Sequence, residues 1–452
     1  MKKQQAIDRL TEENARLKSR LRYQERTAQE GFFGSSTPSA KRPLKANTPA
    51  LPNGNVGGAK AGHCGHGRPT ISAAQADRIE RVEVPPTCPD CGGLLEDKGC
   101  KTRGVIDVEA LRRQTVHFQL EQKYCPRCRR RVRARAPGVM PRSLLGNRLL
   151  AHVAVQHYVF GVTLGQLENQ LQIGGGTLLG ALHQLAHRLE PACEQLVKEY
   201  RRAPIKHADE TGWRTDGHNG YAWLFCSETI SLFRFRQSRS GQIAAEVLGA
   251  RRLIGVLVVD RYHGYNRAPC ALQYCYAHLL RDVQDLEKEF PGQPEVLTFV
   301  AAMAPLLARA MKLRGLGLPT QEFLRQAANT QGQITAVAQA PAQHPGIQKI
   351  QNLFREKSRR LFHWAKDPKI PAENNRAERE LRPLVIARKI SFGSQSVAGA
   401  RTREVLMSVL HTLRKRTDDV TNLTAAFERG LNRLAGDDNI DPYKALFKID
   451  SS

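Results

Sequence analysis

The chain has 452 residues, and its 69 Lys and Arg against 43 Asp and Glu give a formal net charge of +26. At 41% apolar it has material for two to four modules of roughly 100–200 residues each. That charge points to a polyanionic partner, nucleic acid before anionic membrane, and ten cysteines over this length exclude a small disulfide scaffold. No stretch reaches the roughly 18–20 apolar residues of a spanning helix, since the longest, 297–308, contains Pro305 and is closed by Arg309. Lys2 and Lys3 are followed by polar residues rather than a signal-peptide core, so the expected setting is cytoplasmic, beside the nucleoid, with no membrane partner.

Residues 1–33 read as one polar helix. Ile7, Leu10, Leu17 and Leu21 follow a 3-4 spacing with Asn14 in one core slot, the pattern of a short coiled coil that joins two or more copies of the chain. Residues 34–62 are rich in Gly, Pro, Ser and Ala and read as a flexible linker. The next segment, 63–137, carries Cys88-Pro-Asp-Cys91 and Cys125-Pro-Arg-Cys128. Two such knuckles supply four thiolates to one tetrahedral ion, so a structural Zn²⁺ on Cys88, Cys91, Cys125 and Cys128 is expected, with strand-like alternation between them as in a zinc ribbon. His63, Cys64, His66 and Cys100 are a weaker echo and read as linker residues. The knuckle runs into Arg127, Arg129, Arg130, Arg131, Arg133 and Arg135, guanidinium groups that a rigid metal site would hold against phosphates.

Residues 138–200 are helical by periodicity. Leu164, Leu167 and Leu171 mark one helix, 172–176 a Gly-rich turn, and Leu178 through Leu189 a second, which is the skeleton of a helix-turn-helix DNA reader and also of any helical hairpin. From 201 to 282 the pattern changes to strands. Three strands, a helix, a strand ending on Asp260, then further strand and helix follow the order of a ribonuclease-H-like core. In that layout the first and fourth strands are neighbours, so Asp209 and Asp260 meet at one edge of a mixed sheet. Paired carboxylates repel one another unless a cation joins them; with Mg²⁺ or Mn²⁺ they become ligands that also admit phosphate oxygens. A two-ion site needs a third carboxylate. Glu373, Glu378 and Glu380 compete for that place, and because all three sit on the shoulders of the Ala377–Leu381–Leu384 stripe, periodicity leaves the choice open. Residues 283–366 form a helical insertion, and 367–452 complete the core. Arg379, Arg382, Arg388 and Lys389 follow the acidic cluster as candidate phosphate ligands, Arg382 one turn from Glu378. His207 shares the strand face of Asp209 and reads chiefly as a satisfied neighbour.

The segments HADETGW, GVLVVDRYHGYN, CYAHLLRD and ENNRAERELRPLVIARKISFGSQSVAGA together resemble the insertion-sequence-66 transposase family, over nearly the whole chain. The resemblance implies a DDE triad of Asp209, Asp260 and Glu378, two catalytic Mg²⁺ or Mn²⁺ ions, and double-stranded DNA as partner at both element ends and target. It also implies smaller accessory transposition proteins. Cys275 and His278 match a Cys-x-x-His motif found after the second aspartate in many such transposases, and read here as a structural cysteine and a histidine near the active edge. The expected activity is DNA cleavage and strand transfer. A nuclease that cuts without joining and a non-enzymatic zinc-dependent DNA-binding regulator are the alternatives.

Overall fold

By contact the chain divides into two compact units, 1–42 with 118–452, and 43–117. The computed structural model describes residues 113–448 apart from Cys128 and 418–421, together with Thr11, Glu13, Leu17 and Ala74. The linker, Cys88, Cys91, Cys128 and nearly all of the coiled-coil segment therefore lie outside the described residues. Of the ribbon, an antiparallel hairpin of β1 (Gln122–Cys125) and β2 (Arg130–Arg133) is present, with Cys125 opposite Arg130. The strand expected upstream of it does not form across 113–121. Its alternating Val116, Phe118 and Leu120 are all exposed, and among the described residues no apolar layer receives one face to fix the alternation.

Three helices lead into the core: α1 (Asn147–Tyr158), α2 (Leu164–Leu171) and α3 (Gly175–Arg202). A reciprocal cap opens α2, where Thr163 Oγ1 accepts from Gln166 N while the Gln166 side chain accepts from Thr163 N. Its end is set by Gln172 in the left-handed conformation, φ 54°. The helix–turn–helix expected from periodicity is present, but α3 continues beyond Leu189 to Arg202. Leu178, Leu182, Leu185, Leu189, Leu196 and Tyr200 bury one face along its length, which makes it a spine of the fold.

The sheet comprises β3 (Ile205–Thr215), β4 (His218–Cys226), β5 (Ser231–Arg236), β6 (Val256–Val259) and β7 (Ala271–Tyr274), in the order β5-β4-β3-β6-β7. The first three are antiparallel, and β6 and β7 run parallel to β3, so the first and fourth strands are neighbours as expected. Helix α4 (Gly241–Leu248) links β5 to β6, whereas between β6 and β7 only a 3₁₀ turn, His263–Tyr265, intervenes. Ala222 to Cys226 are buried without alternation because both faces of the sheet are covered. Gly255, at φ 77°, lets β6 approach β3: a Cβ there would collide with the Pro204 carbonyl, which accepts from Val256 N at 2.9 Å.

Four helices follow β7: α5 (Tyr276–Glu289), which begins before the expected insertion boundary at 283, then α6 (Pro294–Leu313), α7 (Thr320–Gln339) and α8 (Pro345–Glu356). Contrary to the reading of 297–308, the helix beginning at Pro294 is long and apolar enough to cross a membrane, because Pro305 is accommodated inside it. Proline deletes one helical hydrogen bond without necessarily ending the helix. Val296, Phe299, Val300, Met303, Leu307 and Ala310 recur at helical spacing and are buried, and the helix packs between α5 and α7 as a core element.

Helices α9 (Asn375–Ser391), α10 (Val397–Arg416), α11 (Leu423–Gly436) and α12 (Pro442–Phe447) complete the chain. Helix α10 lies along the open edge of β5 and takes up the amide groups that no strand receives. Thr412 Oγ1 accepts from Ser231 N at 3.0 Å, Ser408 Oγ from Phe233 N at 2.9 Å, and Glu404 Oε2 from Phe235 N at 3.2 Å. Glu404 is buried and also meets Arg234, Arg236 and Arg401. Replacing Ser408 with Ala orphans a buried N–H, and a loss of about 1–3 kcal/mol in urea-unfolding free energy is expected. A change under about 0.5 kcal/mol would show that this edge amide finds another partner.

Candidate active site

Paired residues His207 and Val258 end the β3–β6 register, and continuing it by two residues sets Asp209 abreast of Asp260. Adjacent strands lie about 4.8 Å apart, so two carboxylates share one patch of the sheet edge. Asp209 Oδ1 accepts from Glu210 N at 2.9 Å, and Asp260 Oδ1 from Tyr262 N at 2.9 Å. Those bonds do not compensate the crowding. Burial raises the Asp209 carboxyl well above the usual range, reinforced by Glu210, Asp260 and Glu378. Asp260 is pushed up to about 7, again by burial first and then by Glu210.

Helix α9 brings the third carboxylate. Its entry is fixed by Asn374, whose Nδ2 donates to Ala208 O at 2.8 Å, whose Oδ1 meets His207 Nδ1 at 2.9 Å, and whose backbone N–H points to Cys275 Sγ at 3.1 Å. One buried side chain thus binds the helix to β3 beside Asp209. His207 is a partner of this anchor; burial lowers its pKa to about 4, so it stays neutral. Glu378, in the first turn of α9, adds its charge to the crowding at Asp209 and lies 3.5 Å from Arg281 and 3.9 Å from His278. Glu380 points elsewhere: it pairs with Lys415 at 2.7 Å and accepts from Ser231 Oγ at 2.7 Å. Glu373 precedes the helix near Arg314 and Arg379, its carboxyl raised by burial. Of the three competing glutamates, Glu378 is the one whose charge acts on the Asp209 carboxyl.

Donor atoms of Cys275, His278 and Glu378 lie within 4.8 Å of one another. The Cys-x-x-His pair therefore stands at the active edge with a carboxylate as its third member, closer to a ligand set than the sequence suggested. Its thiol, however, is pushed up to about 12 by burial, which opposes the thiolate that a soft metal would need.

The profile described as Transposase IS66 family matches residues 142–402, more than half of the chain and all three of these carboxylates. The chain belongs to the IS66 transposase family. Two relatives from Sinorhizobium fredii, the uncharacterized proteins y4qI and y4jD, are each 26% identical to it, over 384 and 366 residues. They cover 75% and 72% of this chain and 70% of their own lengths. Transposase function and DNA as the partner follow from membership, as does divalent-metal dependence in general.

The transposase also carries a buried Glu210–Arg239–Tyr265 cluster beside Asp209 that its sequence hid. Glu210, next to Asp209, is nearly fully enclosed and is gripped by Arg239 through Nε at 2.9 Å and Nη2 at 2.7 Å, and by Tyr265 Oη at 2.5 Å. Arg239 in turn lies over the Tyr262 ring at 4.1 Å. Arg261, beside Asp260, is paired with Asp282 of α5. The available signal was strand alternation, which put a carboxylate at 210 on the face opposite Asp209 and so demanded a cation there. Of the basic candidates, Arg379, Arg382 and Lys389 are exposed on α9, while Arg388 donates to Gly212 O and Thr211 Oγ1 and braces β3. Arg127 and Arg129 are exposed at the β1–β2 turn, and Arg135 is tied to Asp438 at 2.5 Å. Arg130, Arg131 and Arg133 lie on β2.

Asp209, Asp260 and Glu378 suit a hard divalent cation. They are oxygen donors from three separate elements, crowded so that their shared negative charge is costly without a counter-ion.

Proposed function

We propose that this transposase is a DDE strand-transfer enzyme on a ribonuclease-H-like core, with Asp209, Asp260 and Glu378 as its catalytic carboxylates. The observation that carries this reading is the convergence of β3, β6 and the first turn of α9 on one crowded acidic patch. Two Mg²⁺ or Mn²⁺ ions, when bound, would supply activation of the attacking oxygen and charge stabilisation at the leaving oxygen. Asp209 on β3 and Asp260 just beyond the end of β6 would hold the ligand oxygens; Glu378 closes the set, oriented by Arg281 and His278. Glu210 and Arg239 keep β3 and the segment before α4 in place beneath them. In the first reaction water forms a bond to phosphorus at the element end, and the 3′-oxygen leaves as a hydroxyl. In the second that hydroxyl attacks a target phosphodiester in line, displacing the target's own 3′-oxygen, with no covalent bond to the protein.

End recognition would rest on the four-cysteine zinc ribbon, the arginine run and the α2–α3 pair, and pairing of two ends on the N-terminal coil. The test is incubation of the purified chain with Mg²⁺ and DNA bearing the inverted repeats that flank its gene. Nicks at the repeat termini together with strand-transfer joints are expected. Cleavage with no joint product would reduce the protein to a nuclease, and end binding without cleavage would leave a regulator.

A further inference from the structure

A cavity of about 820 Å³ opens beside the acidic patch, between the end of α3, the β4–β5 turn, the loop before α9, and Arg314 of the insertion. Its walls carry Arg202, Arg314, Lys369, Arg376 and Arg379. Among the described residues none of these five closes an ion pair with a carboxylate. Of the three acids facing them, Glu199 is engaged by Arg416 and Tyr443, the Glu373 carboxyl is raised by burial against the opposing pull of Arg314 and Arg379, and Glu228 stands at the exposed turn, so the cations outnumber their counter-charges. His207 lines the cavity and lies two residues before Asp209 on the same strand face, about 7 Å away, or two base steps of roughly 3.4 Å.

We propose that this cavity seats an unpaired DNA strand next to the scissile phosphate, held by its phosphates. Its cations come from the end of α3, from Arg314 and from the segment that enters α9, so they flank the cleft on more than one side, as a strand channel requires. Among the described residues no Phe, Tyr or Trp lines it, so they offer bases no stacking platform and a grip indifferent to sequence. The inference rests on the catalytic reading for its purpose, because a strand seated there runs on toward Asp209, but not for its test.

The test uses the full chain without divalent metal, in chelator, with fluorescent oligothymidylate and a blunt duplex as probes. The double variant Arg314→Glu/Lys369→Glu changes two exposed side chains whose charged groups make no hydrogen bond to the fold among the described residues, and an unchanged melting curve checks its folding. Oligothymidylate affinity should fall at least about tenfold. The slope of log affinity against log salt should flatten by about 1.4, two contacts at roughly 0.7 each for a single strand. Duplex affinity should change much less. Unaltered oligothymidylate binding, no binding by the parent chain, or an equal loss on duplex would each overturn the inference. Asp209→Asn separates the two readings: it should keep oligothymidylate binding, and if it keeps cleavage as well, the catalytic assignment fails while the seat stands.

Discussion

Asp209→Asn is expected to reduce strand cleavage by at least about a thousandfold, some 4 kcal/mol of barrier, with end binding intact. The substitution keeps size and the acceptor for Glu210 N, yet removes the charge that a divalent ion needs. A structural signature accompanies the loss. Both aspartates have folded pKa values above their ordinary 3.8, so between about pH 4 and 7 the unfolded chain releases protons that the folded chain retains. Stability of the metal-free protein therefore falls as pH rises through that window. A divalent ion replaces those protons, and at a hundredfold excess over its dissociation constant contributes about 2.7 kcal/mol. Thermal melts should show a rise with Mg²⁺ or Mn²⁺ at pH 7.5 and little at pH 5. The Asn variant should melt higher than the parent without metal and respond weakly to it. Cleavage within tenfold of the parent would remove Asp209 from the chemistry.

Glu378→Gln and Glu380→Gln should part company although two residues separate them. The first leaves the fold intact, since Glu378 meets Arg281 and His278 only at 3.5 and 3.9 Å, and should abolish cleavage. The second leaves Lys415, whose side chain is 16% exposed, without its carboxylate. Breaking such a pair costs about 3–5 kcal/mol, so a lower denaturation midpoint is expected while cleavage per folded molecule survives. Urea titration and a nicking assay on both proteins decide it. If Glu380→Gln is inactive when fully folded and Glu378→Gln is active, the third carboxylate has been assigned to the wrong side of α9.

Periodicity and motif order in the sequence were enough to place β3 beside β6 and the buried Ala377–Leu381–Leu384 stripe of α9. These features depend on local pattern. What escaped depends on partners distant in sequence. The polar side chain of Asn374 gains its meaning only from Ala208, His207 and Cys275, which the fold delivers from 99 to 167 residues away. Helix α10 defeats a hydropathy reading because it is buried on nearly every side, Thr402, Glu404, Ser408 and Thr412 included. Conversely, Val116, Phe118 and Leu120 alternate like a strand and form none, since period alone supplies no neighbouring layer.

The bonds from α10 to the edge of β5 also act as a vernier. Four helical residues advance about 6.0 Å, whereas two strand residues advance about 6.8 Å, so each successive rung falls out of step by roughly 0.8 Å. Thr412 and Ser408 bridge the first two rungs with short hydroxyls, and the third is reached by the longer carboxylate of Glu404. The next position along the helix is Ala400, which has no arm to extend, and the strand has ended at Arg236. The pitch of a helix thus sets the length of a strand. Sliding α10 by one turn would bring Ala400 opposite Phe235 and leave that amide without a side-chain acceptor, so the ladder favours the present seating.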